Sequence, residues 1–374
     1  MTTRKRILIL GGYGNFGSYI TRALSTDAAL EILVAGRDVA KAAALADSLK
    51  HAAAEIKPCL LDIHHDFPAA LAALSPHIVI HTCGPFQGQG YEVARACIAL
   101  GCDYIDLADG RDYVAQITTL DDAAKAQGSR IISGASSVPA MTAAVIDAYL
   151  PQFGSFTHLD YGISTAQKTT PGIGTVASLL SYAGKPFKTL ADGKAATVYG
   201  WQGLQRRRFP QLGTRLMARC DVPDLEIFPK RYPSLRDIVF LAGVELWVQQ
   251  VTLWLLSGLV RLRLLPSLAV LADVLVKLNP LFNIFGSDRS GFYLRMQGTD
   301  AQGQALEKTF YLIARQGHGP NLPTLPAIIM ARRLASARGS IPAGAVPCVG
   351  LMQLDEYIAA IGDLDIEVIR PDAA

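Results

Sequence analysis

Ile7-Leu8-Ile9-Leu10-Gly11-Gly12-Tyr13-Gly14-Asn15-Phe16-Gly17 decides the reading of the first third of the chain. Four consecutive apolar residues ended by glycine describe a short strand buried on both faces, as in a parallel sheet. Gly12 to Gly17 then fit G-x-G-x-x-G where a helix, Asn15 to Leu24, is expected to open. In this pattern Gly12 allows the tight turn out of the strand. Gly14 lets the backbone approach a pyrophosphate, and Gly17 lets the helix pack near the sheet. Free N–H groups at the helix start can hold phosphate oxygens. The strand before and the helix after favour this reading over the alternative, a glycine-rich turn without a ligand.

Outward from this turn, strand and helix patterns alternate. Strands are expected at Glu31 to Ala35, Ile56 to Leu61, His77 to Thr82, Tyr104 to Leu107 and Arg130 to Ser133. Helices are expected from Asp38 to Lys50, Phe67 to Leu74, Tyr91 to Leu100 and Tyr113 to Ala126. Six strands alternating with helices call for a doubly wound parallel sheet, a Rossmann domain over residues 1–140. The second part changes character. Phe156 to Thr165, Ala195 to Trp201, Gly291 to Met296 and Glu307 to Ala314 look like antiparallel strands of an α+β domain, residues 141–322. Inside it lies an apolar, helical-looking block, Ile238 to Phe285. Residues 323–374 read as C-terminal helices, with packing back on the first domain left open. Two domains also suit a chain of 374 residues.

The strand ends carry the candidate ligand contacts. After the second strand stands Ala35-Gly36-Arg37-Asp38, where NAD enzymes usually place a carboxylate for the ribose 2′-hydroxyl. Arg37 suits a 2′-phosphate instead, so NADP is expected, with NAD as the alternative. Asp38 is either the cap of the next helix or a ribose partner. Asp62 is an adenine contact or a turn residue. Cys83, Gly84, Pro85 and Phe86 turn the chain at the carboxyl edge of strand four, where dinucleotides lie. Tyr104, Asp106 and Asp109 are candidates for chemistry by position beside the nicotinamide. Their alternatives are a core ring and two caps of a helix starting near Arg111. Ser136 and Ser137 bond a substrate carbonyl or simply form a turn.

These strand ends resemble the saccharopine dehydrogenase-like oxidoreductases. The resemblance rests on Gly11 to Gly17, Ala35-Gly36-Arg37, Cys83 to Phe86, Gly101-Cys102-Asp103-Tyr104-Ile105-Asp106 and Gly134 to Pro139, and is good over residues 5–145. It implies an NAD(P)-dependent oxidoreductase with a Rossmann domain and an α+β substrate domain. Saccharopine reductase handles a polar substrate, which needs several Arg or Lys forks. The block Ile238 to Phe285 departs from that. It reads as buried helices or a dimer interface, a wall around a lipid-like substrate, or a membrane-surface segment flanked by Arg261 and Arg263.

Further candidates are weaker signals: Lys168, Thr169 and Thr170 in a loop before Gly172-Ile173-Gly174, His318 in a Gly-Pro-rich loop, and the basic run Arg206-Arg207-Arg208. The net charge of +3 gives no reason to expect a nucleic-acid partner. Six cysteines without C-x-x-C spacing give neither a metal site nor a disulfide, and fit a reducing compartment. No signal peptide is read, and Leu246 to Val260 is too short to span a bilayer. The expectation is a cytoplasmic, homodimeric, NADP-dependent oxidoreductase acting on a carbonyl, imine or enoyl compound, with peripheral membrane contact left open. The alternative is a non-catalytic dinucleotide-binding scaffold or sensor at a lipid surface.

Overall fold

A computed structural model describes residues 4–169 and 173–371. The chain forms two compact units: Met1–Ala143 with Asn321–Ala360, and Ala144–Pro320 with Ile361–Ala374.

The first unit opens with six strands, β1 (Lys5–Leu10), β2 (Leu30–Gly36), β3 (Glu55–Leu60), β4 (Ile78–His81), β5 (Asp103–Asp106) and β6 (Arg130–Ser133). Between them run α1 (Asn15–Leu24), α2 (Val39–Ser48), α3 (Phe67–Leu74), α4 (Glu92–Leu100), α5 (Arg111–Ala115) and α6 (Asp121–Gln127). The strands pair in parallel in the order β6-β5-β4-β1-β2-β3. Ile7, Leu8, Ile9 and Leu10 are buried without the alternation of a half-exposed strand, as a sheet covered on both faces requires. The helix expected over Tyr113 to Ala126 is broken into α5, a 3-10 turn at Ile117–Leu120, and α6. Ile117, Thr118 and Thr119 are β-branched in succession, which disfavours a continuous helix there.

After α7 (Thr142–Tyr149) the second unit contains β7 (Ser155–Ser164), α8 (Ile173–Tyr182), β8 (Pro186–Ala191), β9 (Lys194–Tyr199), β10 (Gln205–Phe209) and β11 (Gly213–Arg219). There follow α9 (Asp224–Arg231), β12 (Asp237–Gly243), α10 (Trp247–Arg261), α11 (Ala272–Leu278), β13 (Ser290–Thr299) and β14 (Ala305–Ala314). The main sheet runs β10-β11-β12-β7-β13-β14, antiparallel except for the β12–β7 pair. β8 and β9 form a separate hairpin. The block expected to be helical from Ile238 is helical only from Trp247, because Ile238 to Gly243 belong to β12. A short apolar run fits a buried strand and a buried helix equally well. Among the described residues no helix is long and apolar enough to cross a membrane.

The C-terminal region corrects the expected domain limits. α12 (Leu325–Ala337) and β15 (Gly344–Pro347) belong to the first unit, where β15 pairs in parallel with β6 as the seventh strand. α13 (Leu354–Ile361) follows. β16 (Ile366–Ile369) then pairs with β14 and completes the second unit's seven-stranded sheet.

Candidate functional site

The glycine turn is tied across the carboxyl edge of the first sheet. Gly11, at φ +73, and Gly12 both donate their N–H to the Ala35 carbonyl of β2, at 2.9 and 3.1 Å. A Cβ on Gly17 would lie 2.2 Å from the Gly11 carbonyl oxygen, and one on Gly12 would lie 2.9 Å from that of Ile9. Neither fits, so α1 starts in direct contact with the turn. A Cβ on Gly14 would meet only the Gly11 oxygen, at 3.1 Å, and no side chain from Gly14 caps the start of α1.

Beside this turn lies a cleft of about 350 Å3. Tyr13, Gly14, Arg37, Asp62, Cys83, Gly84 and Pro85 line it, whereas Gly12, Asn15, Phe16, Gly17 and Phe86 do not. Phe86 is buried and packs on His81 and Tyr113, with ring centroids 5.1 and 5.2 Å away. The Tyr13 ring occupies the space where Gly36 would carry a Cβ, 2.4 Å from that position. Arg37 is exposed on the cleft wall. Asp38 takes the cap reading: its Oδ1 accepts the Lys41 N–H at 3.1 Å, and it is not part of the wall. Asp62 takes the turn reading and also faces the cleft. It lines the cleft while its Oδ1 accepts the His64 N–H at 3.0 Å, a bond that holds the carboxyl below its ordinary value. Gln89, for which the sequence offered no signal, braces the opposite wall by donating to the Cys83 and Pro85 carbonyls at 2.9 and 2.7 Å. Burial pushes the Cys83 thiol up to about 11, so it stays protonated.

Two of the three residues singled out for chemistry, Tyr104 and Asp106, stand behind the surface. Tyr104 is fully buried, with its hydroxyl 2.9 Å from His81 Nδ1 and 3.1 Å from the Tyr113 hydroxyl. Asp106 is fully buried too. Its Oδ1 accepts the Gly134 N–H (2.7 Å), the Ala108 N–H (3.0 Å) and the Ser133 hydroxyl (3.0 Å). It therefore ties the exit of β5 to the exit of β6. Asp109 is half-buried and accepts from Gln87 at 3.2 Å. The N-cap position of α5 is Gly110, which supplies no side-chain cap. Burial lowers His81 to about 3 and raises Asp106 to about 6. His81 Nε2 and Asp106 Oδ2 are buried without a hydrogen-bond partner. Ser136 and Ser137 are buried in the turn after β6.

In the second unit, His318 Nδ1 accepts the Asp365 N–H at 2.8 Å and so tethers the start of β16. Arg207 pairs with Asp160 at 2.9 Å, while Arg206 and Arg208 are exposed on the edge strand β10. Lys168 is exposed, and the Thr169 hydroxyl donates to the Ala166 carbonyl at 2.8 Å. Thr170 and Gly172 lie outside the described residues.

Residues 7–132 match the family model of the saccharopine dehydrogenase NADP binding domain. An Arabidopsis thaliana protein described as a "probable mitochondrial saccharopine dehydrogenase-like oxidoreductase" is 29% identical over 150 residues. That alignment takes in 36% of this chain and 32% of the relative, so the match spans about a third of the relative's length. The apo saccharopine dehydrogenase (L-Glu forming) of Saccharomyces cerevisiae superposes with a TM-score of 0.67 at 15% identity, covering 98% of this chain and 100% of that one. The glycine turn and its cleft thus lie in a saccharopine dehydrogenase-type NADP-binding domain, carried by a chain with the saccharopine dehydrogenase fold.

Proposed function

We propose that the chain is an NADP(H)-dependent oxidoreductase that moves hydride between the nicotinamide and a carbonyl, imine or enoyl group. The cradle fits a dinucleotide: the turn excludes a Cβ at Gly12 and Gly17, and Gly14 lines the cleft. The observation that carries the NADP reading is the pair Arg37 and Asp38. Arg37 sits on the cleft wall with no carboxylate in ion-pair distance among the described residues. Asp38, the acidic residue at the end of the second strand, caps α2 and lies off the cleft wall.

In this reading Arg37 forks a 2′-phosphate, the backbone around Gly14 receives the pyrophosphate, and Asp62 accepts from the adenine. A bound nicotinamide supplies or takes the hydride. Tyr104 and Asp106 act as positioning residues that hold the strand ends, because neither reaches the surface. Little covalent help is required of the protein, since alignment contributes most in hydride transfer.

Calorimetric titration with NADPH and NADH tests this on wild type and Arg37→Ala. A guanidinium–phosphate fork contributes about 1.5–3 kcal/mol, so the variant should lose about 10- to 150-fold in NADPH affinity and leave NADH unchanged. Absence of binding by either cofactor overturns the reading. Binding without turnover on carbonyl, imine and enoyl panels would favour the scaffold instead.

A further inference from the structure

Between β12 and β13 the chain leaves the second unit's sheet and returns to it at one fixed point. Glu245 makes that point. Its carboxylate accepts the Gln167 N–H and the Ser287 N–H, both at 2.9 Å, and the Ser287 hydroxyl at 2.7 Å, and it pairs with Arg215 at 3.3 Å. One side of α10 is covered: Leu253, Leu256 and Val260 pack in the cluster around Trp201 and Leu180. The other side is just as apolar. Val248, Leu255, Leu259 and Leu262 recur at helical spacing and are 37–69% exposed. Val270, Val274, Leu278, Leu281 and Phe285 repeat the pattern further along, 45–76% exposed. Their inward neighbours Leu271 and Leu275 join the same cluster, so both stripes belong to one substructure.

A helix apolar on both sides is normally covered on both, and an exposed patch of this extent marks an interaction surface. Charge indicates what covers it. Residues 246–286 carry Arg261, Arg263 and Lys277 against Asp273 alone. At the end of α10, Lys185, Arg261 and Arg263 line a pocket of about 340 Å3 together with Tyr199, and its wall holds no acidic residue. Arg261 lies over the Tyr199 ring, 4.3 Å from its centroid. Arg263 holds φ +61 between the exposed Leu262 and Leu264, a left-handed backbone that disfavours a side-chain-bearing residue. Among the described residues none of the three cations has a carboxylate in ion-pair distance. A symmetric contact of two copies would bring two such uncompensated sets into one interface. An anionic lipid supplies both missing parts, a phosphate for the pocket and hydrocarbon for the leucines.

We propose that segment 247–285 docks this chain on an anionic membrane surface, with Lys185, Arg261 and Arg263 receiving a lipid headgroup phosphate and the exposed stripes of α10 and its continuation entering the acyl boundary. This stands apart from the oxidoreductase reading, since it uses no residue of the cofactor cleft.

The test is co-sedimentation of the full chain with vesicles of phosphatidylcholine alone and of phosphatidylcholine with phosphatidic acid. Two double variants accompany wild type: Arg261→Glu with Arg263→Glu, and Leu255→Gln with Leu259→Gln. All four positions are exposed, and an unchanged thermal midpoint shows that the variants fold. The expected result is binding to the anionic vesicles, reduced at least about tenfold in each variant and by added salt. Equal binding to both vesicle types, or no binding, overturns the proposal. So does wild-type calorimetric binding of inorganic phosphate that survives in the leucine variant while vesicles are ignored, which would make the pocket a small-anion site. Self-association by light scattering that the leucine variant abolishes, without vesicle binding, would assign the surface to a second copy and also overturn it.

Discussion

The Tyr13 hydroxyl accepts the backbone N–H of Asp38 at 2.9 Å. With its ring on Gly36, Tyr13 joins the glycine-rich turn to the loop that carries Arg37. The second residue of the motif, which the pattern G-x-G-x-x-G leaves unspecified, thereby sets where the guanidinium stands. In the proposed reading, one phenol thus couples the turn that receives the pyrophosphate to the loop whose Arg37 receives the 2′-phosphate.

Tyr13→Phe keeps the ring and removes the acceptor. The Asp38 N–H then loses its partner, at a cost of about 1 kcal/mol. NADPH affinity should fall about fivefold, and NADH affinity should fall less, because only the former uses the Arg37 loop. Calorimetry on both cofactors reads the difference. An equal loss for both would mean that Tyr13 touches the part of the cofactor they share.

Asp106 and His81 give stability opposite pH slopes. Asp106 rises from 3.8 to about 6 on folding, so its contribution is present at low pH and is lost as pH rises through about 6. His81 falls from 6.5 to about 3, so its contribution is present near neutrality and is lost as pH drops. Between pH 4 and 6 the two largely cancel. Asp106→Asn removes the first, so the variant's stability relative to wild type should climb by on the order of 2 kcal/mol from pH 4 to pH 6. Urea denaturation at both pH values measures it. A constant difference would show that the Asp106 carboxyl titrates normally.

Arg338 anchors the returning segment to the first sheet. Its Nε and a terminal nitrogen donate to the two oxygens of Asp103 at 2.7 and 2.9 Å, and the Asp103 side chain is 1% exposed against 45% for Arg338. Breaking a fully buried pair costs about 3–5 kcal/mol. Because water reaches Arg338, about 2 kcal/mol is expected for Arg338→Leu. Arg338→Lys should recover only part of this, since an ammonium cannot fork both oxygens. Denaturant midpoints of the two variants decide the matter.

Much of the first unit was legible because its signals are local. Short apolar-rich runs between turn residues gave β1 to β6, and of the two roles open to Asp38 its turn chemistry matches the cap it makes. What failed was non-local. β15 is four residues with a proline at its end, and it pairs with a strand more than two hundred residues earlier; nothing in Gly344–Pro347 announces that partner. β12 looked like the start of a helical block because apolar continuity hides the period. The β8–β9 hairpin did carry a signal, Asp192-Gly193 at φ +51 and +73, the pair a two-residue hairpin turn prefers. In the site, strand-end position picked out Tyr104 and Asp106, but only the structure shows that their polar atoms face inward to His81, Tyr113 and Gly134.

The seam between β6 and β15 has a consequence for synthesis. As the chain emerges from a ribosome, the glycine turn and six strands are available early, yet the exposed edge of β6 waits for Gly344–Pro347. Until then a row of backbone donors and acceptors is open to any other strand, and the closing contact is of high sequence separation and correspondingly slow. The second sheet waits longer still, for Ile366–Ile369. Nascent-chain arrest points placed before and after β15 would therefore separate a protease-sensitive, chaperone-dependent intermediate from a resistant one.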